Sequence, residues 1–318
     1  MQGNGVERRS GMRIVQFMHP GEEITVKRNQ VRVPWNTGKH RRRLLRHTGL
    51  YVDGNKAVHE GDLCFWNEYE APTDATAITR TATSYDYAHH YHRIVNPISL
   101  LQNQLVGPDK ECCSNTDPCV FGDTFKYSNC QQVPNGDLWN LPQGSLILFG
   151  SHHAGWFYLD TVFVTRDPGV EYFVPISNHQ LPFQVSEEYK IVTLNNLWPN
   201  QNSNALMFYR GKSPSVNASG LVADDEIFSF TPARIFNSTN YNERCKIDLA
   251  ALNARFQRVN GWRNFSLKLT QNHKVIVFNA AQGDVVAIWR AVRDMVIRSS
   301  FVLGYHFPWQ NMIDSKDF

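Results

Sequence analysis

The sequence has little cysteine and no long apolar run. Its 318 residues include six cysteines, too few for a disulfide scaffold in a chain of this length. No window approaches the roughly 20 apolar residues that cross a bilayer. The opening segment MQGNGVERRSGMRIVQFMHPG also lacks the apolar core of a signal peptide. We therefore expect a cytoplasmic protein with reduced thiols and no membrane partner.

The sequence also lacks the common cofactor and metal motifs. No G-x-G-x-x-G or G-x-x-x-x-G-K-[ST] pattern follows a strand, which argues against nucleotide-driven phosphoryl transfer. Cys112, Cys113, Cys119 and Cys130 are not spaced as the paired cysteines of a structural zinc site. This spacing favours buried thiols over zinc, and we expect neither a metal nor an organic cofactor.

What the sequence does have is an uneven distribution of charge. Residues 1–50 hold eleven Lys or Arg against three Asp or Glu, a balance of +8. The remaining chain holds 21 basic and 26 acidic residues, a balance of −5. One positively charged surface is expected from this asymmetry, and a polyanion such as DNA is the partner that it favours.

The densest basic segment is KHRRRLLRHTG, residues 39–49. A short helix here would place several cations on one face, and guanidinium groups match phosphate oxygens bidentately. The alternative is a solvated charged face without a partner. The residues predicted to contact nucleic acid are Lys39, His40, Arg41, Arg42, Arg43 and Arg46.

The pattern of apolar residues predicts a strand-rich α+β fold with a mixed sheet and a few helices. LPQGSLILFGSHHAGWFYLDTVFVT indicates a β-hairpin or two neighbouring strands joined by the polar loop SHHAG. DVVAIWRAVRDMVIRSS has the spacing of an amphipathic helix, for which Asp284 is a candidate N-cap and Gly304 a candidate stop. Residues 1–11 are expected to be a disordered leader, and residues 12–318 a single domain with a weak boundary near residue 200. The other expected strands are MRIVQFM, DLCFWNEYEAP, TAITRTATSY, YKIVTL, ALMFYRG, EIFSFTPARIF and KVIVFNAA.

Aromatic residues accompany the basic segment and suggest a pocket for a base. Aromatic faces stack on extruded or single-stranded bases, although core packing is the commoner role of a tryptophan. In FWNEYEAP, Trp66 and Glu68 would share one face of a strand, which could hold a base edge or simply face solvent. The predicted base pocket comprises Trp35, Asn36, Trp66, Glu68, Asn115 and Phe121.

Two carboxylates are candidates for catalysis. Asp117 precedes a proline in NTDPCVFGD, so it lies on a turn that could orient a general base. An Asx turn that satisfies backbone amides is the alternative. Asp160 lies among aromatic and β-branched residues in WFYLDTVFVT, where a carboxylate must be hydrogen-bonded, neutralised or part of a site. Its alternative role is to cap a loop amide at a sheet edge.

The runs NTDPCVFGDTFKYSNCQQ, LPQGSLILFGS and LDTVFVT resemble a pattern in uncharacterised bacterial proteins of phage defence. With WNTGKHRRRLL and DLCFWNEYE the resemblance spans roughly residues 12–165. DNA glycosylases that remove modified bases are one activity of that group. The turn at Asp117 is similar to the water-activating Asp-Pro turn of uracil-DNA glycosylases, but Cys119 and Val120 stand where an aromatic residue and a histidine would follow.

The resemblance implies a glycosylase without a cofactor. A modified base would flip into an aromatic pocket, and a carboxylate would stabilise the oxocarbenium-like state, with Asp117 the first choice and Asp160 the second. A non-catalytic, PUA-like reader of modified bases is the competing prediction. That reader would use the arginines and tryptophans, whereas both aspartates would be incidental.

Overall fold

The computed structural model describes a large part of the chain, including two helices. Its described residues are 11–18, 25–26, 31–32, 40–70, 94–95, 113–114, 118–128, 138–173, 181–182, 184–185, 205–237, 239–259, 261–267, 276–308 and 312–313. For some of these, including residues 40–43 and 68–70, only the backbone is described.

The described elements are seventeen strands and two helices. The first strands are β1 (Met12–Met18), β2 (Thr25–Val26), β3 (Val31–Arg32), β4 (His40–Val52), β5 (Val58–Glu70), β6 (Ile94–Val95), β7 (Cys113–Ser114) and β8 (Lys126–Ser128). They are followed by β9 (Leu146–His153), β10 (Trp156–Val164), β11 (Val170–Phe173), β12 (Ala205–Arg210), β13 (Thr231–Ile235) and β14 (Cys245–Ile247). The C-terminal elements are α1 (Leu249–Phe256), β15 (Ile276–Ala280), α2 (Gln282–Arg298), β16 (Val302–His306) and β17 (Met312–Ile313).

Three sheets account for most of these strands. The central sheet has the order β14-β10-β9-β1-β15, and the long-hairpin sheet has the order β16-β13-β5-β4-β17. The third, smaller sheet is β11-β12-β8. Within the central sheet β1 and β9 are parallel and the other pairs are antiparallel. The expected strand-rich α+β fold with a mixed sheet is therefore confirmed.

The central sheet is buried on both faces. Ile14 packs into a core shared with α1 and α2. Val15 and Phe17 point to the other face and pack into a second core shared with the third sheet. Helix α2 lies against β1, β14 and β16. Strands covered on both sides need apolar residues at successive positions, which explains the near-continuous apolar runs MRIVQFM and LILFG.

The predicted hairpin is confirmed as β9 and β10. The two strands pair antiparallel from Trp156 opposite His153 to Val164 opposite Leu146. Ala154 and Gly155 form the turn, and both have a positive φ, 48° and 80°. This is the backbone of the two-residue hairpin turns whose twist matches that of the flanking strands.

Helix α2 is confirmed, but both of its predicted ends were wrong. The helix begins at Gln282 with Ala281 as its N-cap, and Asp284 lies in the first turn. It ends at Arg298, where Ser300 adopts a left-handed conformation with φ 62°. Glycine is the usual residue at that position, so the sequence pointed to Gly304, which instead belongs to β16.

The basic segment is a strand, not the expected helix. All thirteen residues of β4 pair with β5, from His40 opposite Glu70 to Val52 opposite Val58. Where side chains are described, burial alternates with period two: Leu45 and His47 are buried, and Leu44 and Arg46 are half-buried. Pairing with a long partner strand thus decided the structure over local helix propensity, and the helical face of cations does not exist.

Several sequence predictions lie outside the described residues. These are the leader except for Gly11, the strands at TAITRTATSY and YKIVTL, and most of the boundary near residue 200. By contrast, the strands predicted at MRIVQFM, DLCFWNEYEAP, ALMFYRG, EIFSFTPARIF and KVIVFNAA correspond to β1, β5, β12, β13 and β15, with bounds that differ by several residues in places.

Gly150 provides a test of the packing around β9 and β10. A Cβ at this position would lie 2.2 Å from the Tyr158 carbonyl oxygen and 2.6 Å from the Phe157 ring. We predict that Gly150→Ala lowers the free energy of unfolding by about 2–3 kcal/mol, because backbone atoms cannot rotate away. Urea denaturation measures this change.

The matched control is Gly283→Ala in the first turn of α2, where an added Cβ would meet nothing within 4 Å. It should leave stability unchanged or raise it by about 0.5 kcal/mol, since alanine favours the helix. Equal effects of the two substitutions would contradict the close contact at Gly150.

Candidate functional site

The residues predicted from sequence fall into three groups. Asp117, Asn115, Trp35, Asn36 and Lys39 lie outside the described residues, so their roles stay predictions. Only the backbone is described for a second group, namely His40, Arg41, Arg42, Arg43 and Glu68. The side chains of Arg46, Trp66, Phe121 and Asp160 are described in full.

Asp160 is held in a buried ion pair with Arg244. The Asp160 Oδ1 accepts a hydrogen bond from the Arg244 Nη2 at 2.8 Å, and the two side chains are only 3% and 7% exposed. The same nitrogen lies 2.7 Å from the Ser151 Oγ. A buried carboxylate is tolerated when it is paired and hydrogen-bonded. The pair with Arg244 therefore explains how the Asp160 carboxylate is accommodated among apolar residues.

The fold brings Asp160 and Arg244 together across two paired strands. Asp160 lies at a register shift in β10, between Leu159 and Thr161. Arg244 directly precedes β14, which pairs antiparallel with β10 through Leu159 opposite Cys245. The two partners are 84 positions apart in the chain, so no local pattern indicates the pair.

Two aromatic rings flank the Arg244 guanidinium. Its central carbon lies 4.5 Å from the centre of the Tyr158 ring and 6.0 Å from that of Trp66. The Trp66 indole nitrogen donates to the Asn242 carbonyl oxygen at 2.8 Å, which fixes the ring. Trp66 is therefore the predicted pocket residue that the structure brings into the same site as Asp160.

These side chains line an open cavity of about 460 Å³, which we call the Arg244 cavity. Its lining combines four aromatic or histidine rings, three cations, one carboxylate and two small polar residues. The lining residues are Trp66, His153, Tyr158, Arg234, Asn242, Glu243, Arg244, Lys246, Ser299 and Phe301. Asp160 does not line the cavity but lies behind Arg244.

The cations of the cavity differ in how they are compensated. Arg234 pairs with Glu243 at the rim, and its guanidinium lies 4.1 Å from the centre of the Phe301 ring. Lys246 is exposed, and no carboxylate in the described part of the chain lies within ion-pair distance of it. Lys246 therefore presents a positive charge to solvent beside the aromatic rings.

His153 adds a neutral ring to this surface. Burial, together with the charge of Arg244, lowers the pKa of His153 below its ordinary value near 6.5. The ring is therefore neutral at pH 7, and it lies 6.0 Å from the Tyr158 ring. Because Arg234 and Arg244 are paired with carboxylates, the uncompensated positive charge of the described lining at this pH is that of Lys246.

Arg46 is engaged elsewhere on the long-hairpin sheet. Its Nη2 lies 2.5 Å from the Asp62 Oδ2, and its guanidinium lies 3.5 Å from the centre of the Phe236 ring. Hydrogen bonds from Thr48 and Arg46 lower the pKa of Asp62, so this carboxylate stays ionised. Arg46 does not line the Arg244 cavity.

The backbone nevertheless connects the basic segment with the cavity. Leu44 of β4 lies opposite Trp66 of β5, and the next pairs are Arg43 opposite Asn67 and Arg42 opposite Glu68. Each step along a strand is only about 3.4 Å. In the paired strands, the basic residues of β4 therefore begin within two residues of the position opposite Trp66.

Phe121 is a core residue. It is fully buried and contacts His47, Phe65 and Phe307, with ring centres 5.6–6.4 Å apart. Because these neighbours cover the ring, it offers no face to a base. We therefore do not include Phe121 in the candidate site.

Nothing in the described residues indicates a metal centre or a reactive thiol. They contain no group of three or more His, Cys, Asp or Glu arranged to hold a metal ion. Cys64, Cys119 and Cys245 are buried and unbridged, and burial raises the pKa of Cys64 to about 11.

Neither described helix combines the length and apolar composition of a membrane span.

A second cavity, of about 200 Å³, lies beside α2. Phe228, Trp289 and Leu303 give it an apolar interior, and charged residues such as Arg298 line it as well. It is smaller than the Arg244 cavity and contains none of the residues predicted from sequence. We therefore take the Arg244 cavity as the candidate functional site.

Comparison with known proteins finds no match for this chain. No family model, no curated protein and no solved structure matches the chain. The function has to be argued from the site itself.

Sequence reasoning missed Tyr158, Arg234, Arg244 and Lys246. A signal was present for two of them, because ERCKID alternates charged and apolar residues and so indicates a strand with Arg244 and Lys246 on one side. In WFYLD, Tyr158 likewise alternates with apolar positions of the predicted strand. What the sequence did not provide was the pairing of these two segments.

The buried pair can be tested by removing one partner and then both. We predict that Arg244→Met lowers the free energy of unfolding by about 3–5 kcal/mol, because it removes the ion-pair partner of the buried Asp160 carboxylate. The double variant Arg244→Met/Asp160→Asn should be more stable than Arg244→Met, since it removes that buried charge as well. Chemical denaturation of all variants measures both changes.

Arg46→Met is the matched control, because its partner Asp62 is about one-third exposed. An exposed pair contributes about 0–1 kcal/mol, so this variant should stay close to the parent protein. If Arg244→Met were no more destabilising than Arg46→Met, the central role of the buried pair would be contradicted.

Proposed function

We propose that this protein binds nucleic acid and holds an unpaired nucleotide in the Arg244 cavity. The observation that carries this proposal is the placement of the Arg244 guanidinium between the Tyr158 and Trp66 rings, with exposed Lys246 on the same cavity wall. A nucleotide has an aromatic base and an anionic phosphate, and it is the ligand class that matches both kinds of group.

The size and chemistry of the cavity suit such a ligand. Its volume of about 460 Å³ falls in the range of small-ligand sites, roughly 300–1,000 Å³. Trp66 and Tyr158 line the cavity with rings on which a base can stack, and exposed Lys246 offers positive charge for phosphate. Glu243 at the rim can accept hydrogen bonds from the amino groups of a base edge.

The charge distribution of the chain supports the same partner. Residues 1–50 carry a balance of +8, and the basic end of β4 lies opposite the β5 residues that follow Trp66. The cations of this segment are therefore candidates for contacts with the phosphates on either side of a bound nucleotide. Such contacts release counterions from the nucleic acid, so binding should weaken steeply with salt.

The position of Asp160 favours a reader over a glycosylase. Its carboxylate is paired with Arg244, is only 3% exposed and does not line the cavity. We therefore assign Asp160 the role of positioning Arg244. The glycosylase hypothesis, with its setting in phage defence, rests on Asp117 and the resemblance, and it is the second candidate.

Lys246 offers the cleanest test of binding because it is exposed and takes no part in the core. We predict that Lys246→Gln weakens binding of a fluorescein-labelled 12-nucleotide single strand about fivefold, as the loss of about 1 kcal/mol implies. The slope of log affinity against log salt should fall by about 0.7, the effect of one phosphate contact on a single strand. Fluorescence anisotropy from 50 to 200 mM salt measures both.

The matched control is Lys212→Gln, since Lys212 pairs with Glu226 and lies outside the cavity. Its affinity and salt slope should equal those of the parent protein. Failure of the parent protein to bind single-stranded DNA, single-stranded RNA or duplex at low salt would contradict the proposal.

Reader and glycosylase are separated by looking for a product. Normal and base-modified DNA are incubated with the protein, and alkaline cleavage then reveals any abasic sites. The reader proposal predicts retention of DNA without strand breaks. Breaks on modified DNA that disappear in Asp117→Ala would instead establish the glycosylase.

A further inference from the structure

We infer that the nucleic-acid contact extends from the Arg244 cavity to Trp156, so that the ligand is a single strand of at least two nucleotides. This inference rests on the proposed function and deepens it. It is carried by five side chains in which aromatic rings and cations alternate along one surface. We call this series the ladder. Its residues are, in order, Trp156, Lys246, Tyr158, Arg244 and Trp66.

Distances within the ladder show that each cation lies between two rings. The Lys246 Nζ is 5.7 Å from the centre of the Trp156 ring and 5.9 Å from that of Tyr158. Arg244 continues the series between Tyr158 and Trp66, at 4.5 and 6.0 Å. All four distances lie within the range of cation–π attraction, up to about 6 Å.

Two paired strands generate this alternation. Trp156 and Tyr158 are alternate residues of β10, and alternate side chains of a strand project from the same face. Tyr158 pairs with Lys246 of β14, which places the lysine beside the ring. Arg244 lies two residues before Lys246 and extends the series toward the cavity.

Trp156 is positioned for a ligand rather than for the core. It is 44% exposed and directly follows the tight turn at Ala154 and Gly155, so it lies at the tip of the β9–β10 hairpin. The neighbouring Lys246 charge is not compensated by a carboxylate among the described residues. An exposed ring beside an uncompensated cation offers stacking and charge to the same ligand.

The spacing of the ladder selects a single strand over a duplex. Alternate residues of a strand are about 6.8 Å apart, whereas stacked bases of one duplex strand are about 3.4 Å apart. Bases that rest on Trp156 and on the rings of the cavity must therefore be unstacked from each other. Unpaired, extended nucleic acid meets this condition, and exposed Lys246, beside the Trp156 and Tyr158 rings, is placed to contact a phosphate between the two bases.

The inference is tested by varying the length of the oligonucleotide. Binding of thymidine 5′-monophosphate, dT2, dT4 and dT6 is measured by calorimetry for the parent protein, Trp156→Ala and Phe173→Ala. Trp156→Ala should bind the mononucleotide as the parent does but bind dT6 about tenfold more weakly, the effect of one lost stacking contact. Phe173, 50% exposed and outside the ladder, is the matched control and should change nothing.

The outcomes separate this inference from the proposed function. Mononucleotide binding by the parent protein, with equal dT6 affinity in the parent and Trp156→Ala, would overturn the extension to Trp156 alone. Absence of binding to every oligonucleotide would overturn both proposals. A poly-glutamate peptide with the same net charge as dT6 should not compete with dT6 for binding. If it did compete, the ladder would be a site for acidic protein, and the inference would be wrong.

Discussion

The contact between Asp160 and Arg244 is the interaction on which the rest of the candidate site depends. The Arg244 side chain is only 7% exposed, and the Asp160 carboxylate compensates its charge at 2.8 Å. The pair fixes Arg244 at the joint of β10 and β14, where Tyr158 and Trp66 flank it. A buried pair of this kind adds little net stability, but it sets the position of the cation that a ligand meets.

The central sheet supplies the rigid frame for that pair. Its two faces are covered by separate cores, so β9 and β10 are clamped over most of their length. Trp156 at the hairpin tip is exposed, and on the outer strand β14 Lys246 is exposed whereas Cys245 and Ile247 stay in the core. The surface that we propose to bind nucleic acid is therefore the exposed margin of the most deeply buried sheet, which preorganises it for a ligand.

The sequence predicted what depends on local pattern and failed where distant segments meet. Apolar runs gave the fold class, the β9–β10 hairpin and helix α2, because their periodicity is visible within one segment. The segment around Arg42 was interpreted as a helix, since its long pairing with β5 cannot be read locally. Trp66 and Asp160 were identified as candidates, but Arg244, which joins them, is 84 residues from Asp160 in the chain.

Photochemical cross-linking tests directly whether the Arg244 cavity and the ladder contact single-stranded nucleic acid. A single-stranded oligonucleotide carrying 5-iodouracil is bound to the protein and irradiated, and the modified peptides are identified by mass spectrometry. We predict adducts on the aromatic residues Trp66, Tyr158 or Trp156, which are suppressed by an excess of unlabelled strand. Adducts confined to residues outside the Arg244 cavity and the ladder would contradict it.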